Sequence, residues 1–131
     1  MAGSTNRFIV DASYVLSFLL PDENIKEVEE TFYKLSTGEF RISAPQLLPF
    51  EVLNSLKVAV LRKRVTLQAA QELAQYFFNL GIVTLSIDYL KTLDLAQAEK
   101  ITFYDASYLY LAQSQNLPLL TLDKHLENLA L

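Results

Sequence analysis

The chain has 131 residues, no cysteine and a formal net charge of −4 at neutral pH. An apolar share of 51%, with only 3 glycines and 4 prolines, excludes a disordered or low-complexity chain. The lack of cysteine excludes a disulfide scaffold and any thiolate metal site. We therefore expect one domain over residues 1–131.

No segment of the sequence has the pattern of a membrane anchor. The N-terminal segment MAGSTNRF has no apolar stretch of the kind found in secretory signals, and the run YVLSFLL at 14–20 is too short to cross a bilayer. The expectation is a cytoplasmic protein with no membrane partner. The acidic balance counts against a nucleic-acid partner, unless a cluster of cation-binding acids accounts for it.

Short strand patterns alternate with helical patterns along the chain. The predicted strands are Arg7–Val10, Phe40–Ser43, Ile82–Ile87 and Pro118–Leu122. The predicted helices are Ser13–Leu20, Asn24–Ser36, Pro45–Lys63, Leu67–Leu80, Tyr89–Glu99 and Phe103–Gln115. This alternation is typical of βαβ units, so the predicted class is α/β with a parallel sheet.

Capping patterns predict some of the helix ends. Asn24 with Glu27 has the spacing of a cap pair at the start of the second helix. Gly38 and Gly81 follow helical patterns, where a left-handed residue commonly ends a helix.

Two predicted strands end in an aspartate. Asp11 follows the apolar residues of FIV, and Asp123 follows those of PLLTL. Ligands of open parallel sheets bind beyond the carboxyl ends of the strands. Both aspartates are therefore expected at the same edge of the sheet.

Two further acids interrupt apolar faces of predicted helices. Asp105 shares a face with Tyr108 and Leu109, and Glu51 shares one with Leu48. Burying an ionised carboxylate without a partner costs roughly several kcal/mol. The nearest basic run, KVAVLRKR, begins six residues after Glu51 and has the pattern of a solvent-facing segment. A bound cation is the simplest partner for these acids.

Oxygen ligands without cysteine or a histidine pair favour Mg²⁺ or Mn²⁺ over Zn²⁺. Carboxylates gathered at one point raise each other's pKa values unless a divalent ion holds them. Such clusters are suited to metal-assisted phosphodiester hydrolysis.

The order of the four acidic motifs resembles that of the PIN-domain family, particularly its VapC-like toxin ribonucleases. The motifs are FIVDAS, PFEVLNSL, TFYDASYLYLA and LLTLDKHL. The resemblance implies a three-layer α/β/α fold with a short, mostly parallel central sheet. It also implies an Mg²⁺- or Mn²⁺-dependent endoribonuclease that cleaves single-stranded RNA, often as a homodimer, under the control of a small antitoxin protein.

The resemblance assigns roles by position. The catalytic and metal-binding acids would be Asp11, Glu51, Asp105 and Asp123. The polar residues beside them would be Ser13, Asn54 and Thr121. The basic patch left to contact RNA phosphates is Lys57, Arg62, Lys63 and Arg64.

Each acid alone has a purely structural explanation. Asp11 and Asp123 can cap helices, and Thr102 with Asp105 has capping-box spacing. Glu51 follows Pro49 by two residues and could lie in a first helical turn, where acids are favoured. The basic run ends a helix, where cations are favoured without any ligand.

A second class of function stays open: a catalytically idle PIN-like module that binds RNA or a protein partner. A receiver-like signalling domain also gathers acids at strand ends. It is disfavoured because Asp11 stands alone at the end of its strand and Lys124 follows Asp123 rather than lying in a strand.

Overall fold

The computed structural model describes residues 6–131, in which four strands and seven α-helices alternate. The strands are β1 Arg7–Val10, β2 Arg41–Pro45, β3 Val83–Leu85 and β4 Leu119–Leu120. The helices are α1 Ala12–Leu19, α2 Lys26–Ser36, α3 Leu48–Leu61, α4 Leu67–Phe78, α5 Tyr89–Glu99, α6 Phe103–Gln115 and α7 Lys124–Leu129.

The strands form one sheet in the order β3-β2-β1-β4, and every neighbouring pair is parallel. The carboxyl ends of all four strands therefore lie along one edge. The predicted α/β class and parallel sheet are confirmed. The final strand β4, although only two residues long, pairs with the end of β1 through Ile9 and Val10.

The central strand β1 packs helices on both of its faces, because successive side chains of a strand point to opposite sides. Val10 belongs to a large apolar cluster with residues of α1, α2, α3 and α4. Ile9, on the other side, packs with Leu111 and Ala112 of α6. These two cores give the three layers that the resemblance implied.

Several predicted boundaries differ from the structure. The predicted Asn24–Glu27 cap pair is wrong: α2 begins at Lys26, and Asn24 Nδ2 donates to Glu29 Oε2 over 2.5 Å. A 3-10 turn at Pro21–Glu23 precedes it. The third helix begins at Leu48 rather than at Pro45, because Pro45 is the last residue of β2 and pairs with β3.

The predicted left-handed residues are confirmed, with φ of +83° at Gly38 and +87° at Gly81. Both follow helices that the chain must leave in order to enter β2 and β3. Over residues 6–131, no helix has both the length and the apolar character that a membrane crossing would need.

Candidate active site

Asp11 lies between the end of β1 and the start of α1 and is 6% exposed. Its Oδ1 accepts hydrogen bonds from the Tyr14 backbone N–H (3.1 Å) and from the Ser13 hydroxyl (2.7 Å). Its Oδ2 accepts one from the Thr121 hydroxyl (2.5 Å). The capping role of Asp11 is thus real, and it coexists with a second contact to a distant part of the chain.

The two hydroxyls beside Asp11 hold the segment that carries Asp123. The Leu122 backbone N–H donates to Ser13 Oγ, and the Asp123 backbone N–H donates to Thr121 Oγ1, both over 3.0 Å. The Leu122–Ser13 bond and the Thr121–Asp11 bond each join residues about 110 positions apart, and they attach this segment to the end of β1. Asp123 itself is exposed and caps α7, because its Oδ1 accepts from the Leu126 backbone N–H over 3.0 Å.

Glu51 lies in the first turn of α3 and is partly buried. Its Oε1 accepts a hydrogen bond from the Tyr108 hydroxyl over 2.6 Å. Burial raises the pKa of Glu51, the Tyr108 hydrogen bond lowers it, and the charges of Asp105 and Asp11 raise it further. Burial also raises the pKa of Tyr108, as does its bond to Glu51, so this phenol stays protonated and acts as the donor.

Asp105 lies in the first turn of α6. Its backbone N–H donates to Thr102 Oγ1 over 3.0 Å, which is one half of the expected capping box. Burial raises the pKa of the Asp105 side chain most strongly, and the charge of Asp123 raises it further. The electrostatic effect of His125 lowers the pKa of Asp105.

The acids raise each other's pKa values, although they lie on separate elements of the fold. Burial is the main cause of the raised pKa of Asp11, and the charge of Asp105 adds to it. The ion pairs formed within residues 6–131 do not include any of the four acids. Within the same residues, no three acidic or histidine side chains are already close enough to hold a metal ion. Within residues 6–131 the acids therefore form an open group that makes no ion pair with a lysine or an arginine.

The predicted RNA-binding residues lie along α3 and beyond its end. Arg64 is already ion-paired, since its Nη2 lies 2.8 Å from Asp22 Oδ1 and 2.6 Å from Glu23 Oε2. Lys57, Arg62 and Lys63 are exposed. At 1.5 Å per residue, Arg62 lies about 16 Å along the helix axis from Glu51. Their role with RNA stays a prediction.

Of the three predicted polar residues, Asn54 is placed differently from Ser13 and Thr121, whose hydroxyls lie beside Asp11. Asn54 is exposed, one turn after Glu51 on α3. Ser13 and Thr121 contact Asp11 directly, whereas a role for Asn54 stays a prediction.

Two features of this edge were missed in the sequence. The first is the Tyr108–Glu51 bond, although Tyr108 shares a helix face with Asp105 and a buried phenol usually has a partner. The second is a groove of about 300 Å³ at the ends of β2 and β3. Its lining includes Phe50 and Tyr104, which directly precede Glu51 and Asp105 and are 76% and 57% exposed.

The comparisons with known proteins give a family, a relative and a similar fold. A family model described as the PIN domain matches residues 8–131. Ribonuclease VapC3 of Pyrobaculum aerophilum is 27% identical over 124 residues, which cover 92% of each chain. A crystal structure of PAE2754 from Pyrobaculum aerophilum superposes with a TM-score of 0.77 at 24% identity, covering 94% of this chain and 84% of that one. The likeness to the solved structure supports the fold described above.

Proposed function

Because the chain belongs to the PIN-domain family, we propose that it is an Mg²⁺- or Mn²⁺-dependent endoribonuclease that hydrolyses single-stranded RNA. The similarity to Ribonuclease VapC3 supports the same activity. Asp11, Glu51, Asp105 and Asp123 would be its catalytic and metal-binding acids.

The observation that carries this proposal is the group of acids, none of which forms an ion pair within residues 6–131. Burial raises the pKa values of Asp11, Glu51 and Asp105, and each of the three is raised further by the charge of at least one other acid of the group. Ionising all of them in the folded chain is therefore unfavourable. A divalent cation would offset this repulsion.

The donor set fits such an ion, since it consists of carboxylates and contains no thiolate. Mg²⁺ or Mn²⁺, when bound, lowers the pKa of water and offsets charge on a phosphodiester. Asp11 is already oriented by three hydrogen bonds, and Glu51 by one. Binding of the ion would draw the carboxylates together, because no three acidic or histidine side chains within residues 6–131 are now close enough to enclose it.

The surroundings of the acids suit single-stranded RNA. Unpaired bases stack on exposed aromatic rings, and Phe50 and Tyr104 lie immediately beside two of the acids in the chain. Lys57, Arg62 and Lys63 would contact phosphates farther along the strand. Arg64 would contribute less, because Asp22 and Glu23 already neutralise it.

We extend the proposal to the partners that the resemblance implies, a second copy of the chain and a small antitoxin. Exposed leucines on α3, α4 and α5 support a protein interface: Leu53, Leu61, Leu67, Leu90 and Leu93. The oligomeric state is measurable by sedimentation equilibrium. A monomer at all concentrations would contradict the homodimer without affecting the catalytic assignment.

The central experiment compares Asp105→Asn with the wild-type protein in Mn²⁺-dependent cleavage of single-stranded RNA. The variant should keep its circular dichroism spectrum and lose cleavage, because it lacks one carboxylate charge of the site. Asp94→Asn, in an exposed position of α5, is the matched control and should cleave normally. Unchanged cleavage by Asp105→Asn would contradict the site.

Calorimetric titration with Mn²⁺ separates the enzyme from an idle binding module. The enzyme should bind Mn²⁺, and Asp105→Asn should bind it more weakly. RNA binding without measurable Mn²⁺ binding or cleavage would favour the idle module.

A further inference from the structure

Among the hydrogen bonds within residues 6–131, the one that orients the Glu51 side chain comes from Tyr108. It is 1% exposed within α6, and its hydroxyl donates to Glu51 Oε1 of α3 over 2.6 Å. The bond joins residues 57 positions apart. It therefore connects two helices that each carry an acid of the proposed site.

Packing alone does not require a hydroxyl group at position 108. Phenylalanine would fill nearly the same volume in the core without a polar group to satisfy. An O–H···O⁻ bond of this length is of the strong, charge-assisted kind. It fixes one oxygen of a flexible glutamate side chain, which otherwise samples many rotamers.

The position of Tyr108 sets the direction in which Glu51 is held. Tyr108 lies three residues after Asp105, so both project from the same face of α6. A hydrogen bond to Tyr108 thus holds the Glu51 carboxylate against the face that carries Asp105. Only Oε1 accepts this bond, and Oε2 is left for a ligand.

We propose that Tyr108 is a positioning residue, which holds Glu51 in the orientation that binds the divalent cation. This inference rests on the proposed function, since it assigns Glu51 to the cation. Hydrogen-bonding partners of metal ligands typically contribute about 10- to 100-fold to metal affinity. Tyr108 would act in this way without touching the cation.

The test measures the dissociation constant of Mn²⁺ by calorimetry, without RNA. Tyr108→Phe should weaken Mn²⁺ binding about 10-fold, because it removes the hydroxyl and keeps the ring. Tyr14→Phe is the matched control. Tyr14 is also buried, and its hydroxyl is hydrogen-bonded to Thr31 Oγ1 over 2.8 Å rather than to an acid of the proposed site. This variant should bind Mn²⁺ as the wild type does.

A double variant distinguishes positioning from a general loss of stability. If Tyr108 acts through Glu51, then Tyr108→Phe should have no further effect on Mn²⁺ affinity in a Glu51→Gln background. Thermal melting of each variant checks that all remain folded.

The outcomes separate this inference from the proposed function. Weaker binding by Glu51→Gln, together with normal binding by Tyr108→Phe, would overturn the role of Tyr108 alone. Equal losses in Tyr108→Phe and Tyr14→Phe, or additive losses in the double variant, would also overturn it. Normal Mn²⁺ binding by Glu51→Gln would instead overturn the assignment of Glu51 to the site, and with it the proposed role of Tyr108.

Discussion

The charged residues at the two ends of α3 have contrasting surroundings. At its N-terminal end, Glu51 is partly buried, is hydrogen-bonded by a neutral phenol and has other acids nearby. Beyond its C-terminal end, Arg64 is paired with Asp22 and Glu23 at the surface. Within residues 6–131, the ion pairs of Arg64 thus lie away from the acids of the proposed site, which form none.

This difference indicates which charges belong to the fold and which are available to a ligand. The Arg64 pairs connect the turn after α1 to the segment after α3, and they are complete without any other molecule. Ionising the acids at the sheet edge together is unfavourable, and a bound cation would offset that cost. The following predictions test that contrast, beginning with the largest expected effect.

Asp11→Asn should reduce RNA cleavage by about 100-fold or more, because the site loses the carboxylate with the most complete set of hydrogen-bond partners. The measurement is single-turnover cleavage in Mn²⁺. Asp88→Asn is the matched control, since Asp88 also caps a helix, through the Lys91 backbone N–H over 3.0 Å. If both variants lose activity equally, the capping role of Asp11 would explain the effect.

The site acids should make the metal-free protein less stable as pH rises from about 4 to neutrality. Asp11, Glu51 and Asp105 have pKa values raised above 3.8, 4.5 and 3.8. The folded chain then holds more protons than the unfolded chain in this range. Their stabilising contribution is present below the unfolded-state pKa values and is lost as pH rises through the folded ones.

The surface pair has the opposite dependence. The Arg64 hydrogen bond lowers the pKa of Asp22 below 3.8, so its contribution is present above that pH and is lost as pH falls through the lowered pKa. Thermal melting in EDTA should therefore show a flatter pH dependence for Asp105→Asn. For Arg64→Gln it should show a stability lowered by the same amount at all pH values above about 5, where the contribution of Asp22 no longer changes with pH.

Adding Mn²⁺ should reverse the decline of the wild type at neutral pH. An ion at 100 times its dissociation constant stabilises the folded state by about 2.7 kcal/mol. The gain should be larger at pH 7 than at pH 5, where protons compete for the acids. Equal gains at both values would contradict carboxylate binding of the ion.

The basic residues should differ in their contribution to RNA binding. Replacing both Lys57 and Arg62 with alanine should reduce the salt slope of single-strand binding by about 1.4, or about 0.7 for each phosphate that is no longer neutralised. Arg64→Ala should leave the slope nearly unchanged, because its charge is already paired. These slopes are measurable by fluorescence anisotropy in an Asp105→Asn background, which is expected not to cleave the RNA. A larger effect from Arg64→Ala would show that RNA displaces the surface pair.

The sequence predicted best those elements whose ends are determined by local chemistry. The bounds of β1, α5 and α6 coincide with the predicted ranges. In α5 and α6, Asp88 and Thr102 accept bonds from the first-turn amides. Both helices end at left-handed residues, Lys100 and Asn116, and neither is a glycine. The position of each helix end is therefore determined locally. A lysine, however, is not a residue type that predicts the left-handed end at Lys100.

Other features depend on contacts between distant segments. The predicted start of α2 is wrong because a 3-10 turn precedes the helix and Asn24 bonds to Glu29 instead of capping it. The four acids could be selected from strand ends and motif order. The bond from Tyr108 to Glu51 could not, because it depends on how α6 packs beside α3.

The short outer strands of the sheet should help the chain to stay soluble during synthesis and storage. The outer strands β3 and β4 contain only three and two residues. An intruding strand could form few ladder bonds with either, which is how natural sheets commonly resist joining edge to edge. Lengthening β4 by inserting residues of high β-propensity after Leu120 would therefore promote aggregation as well as displace Asp123.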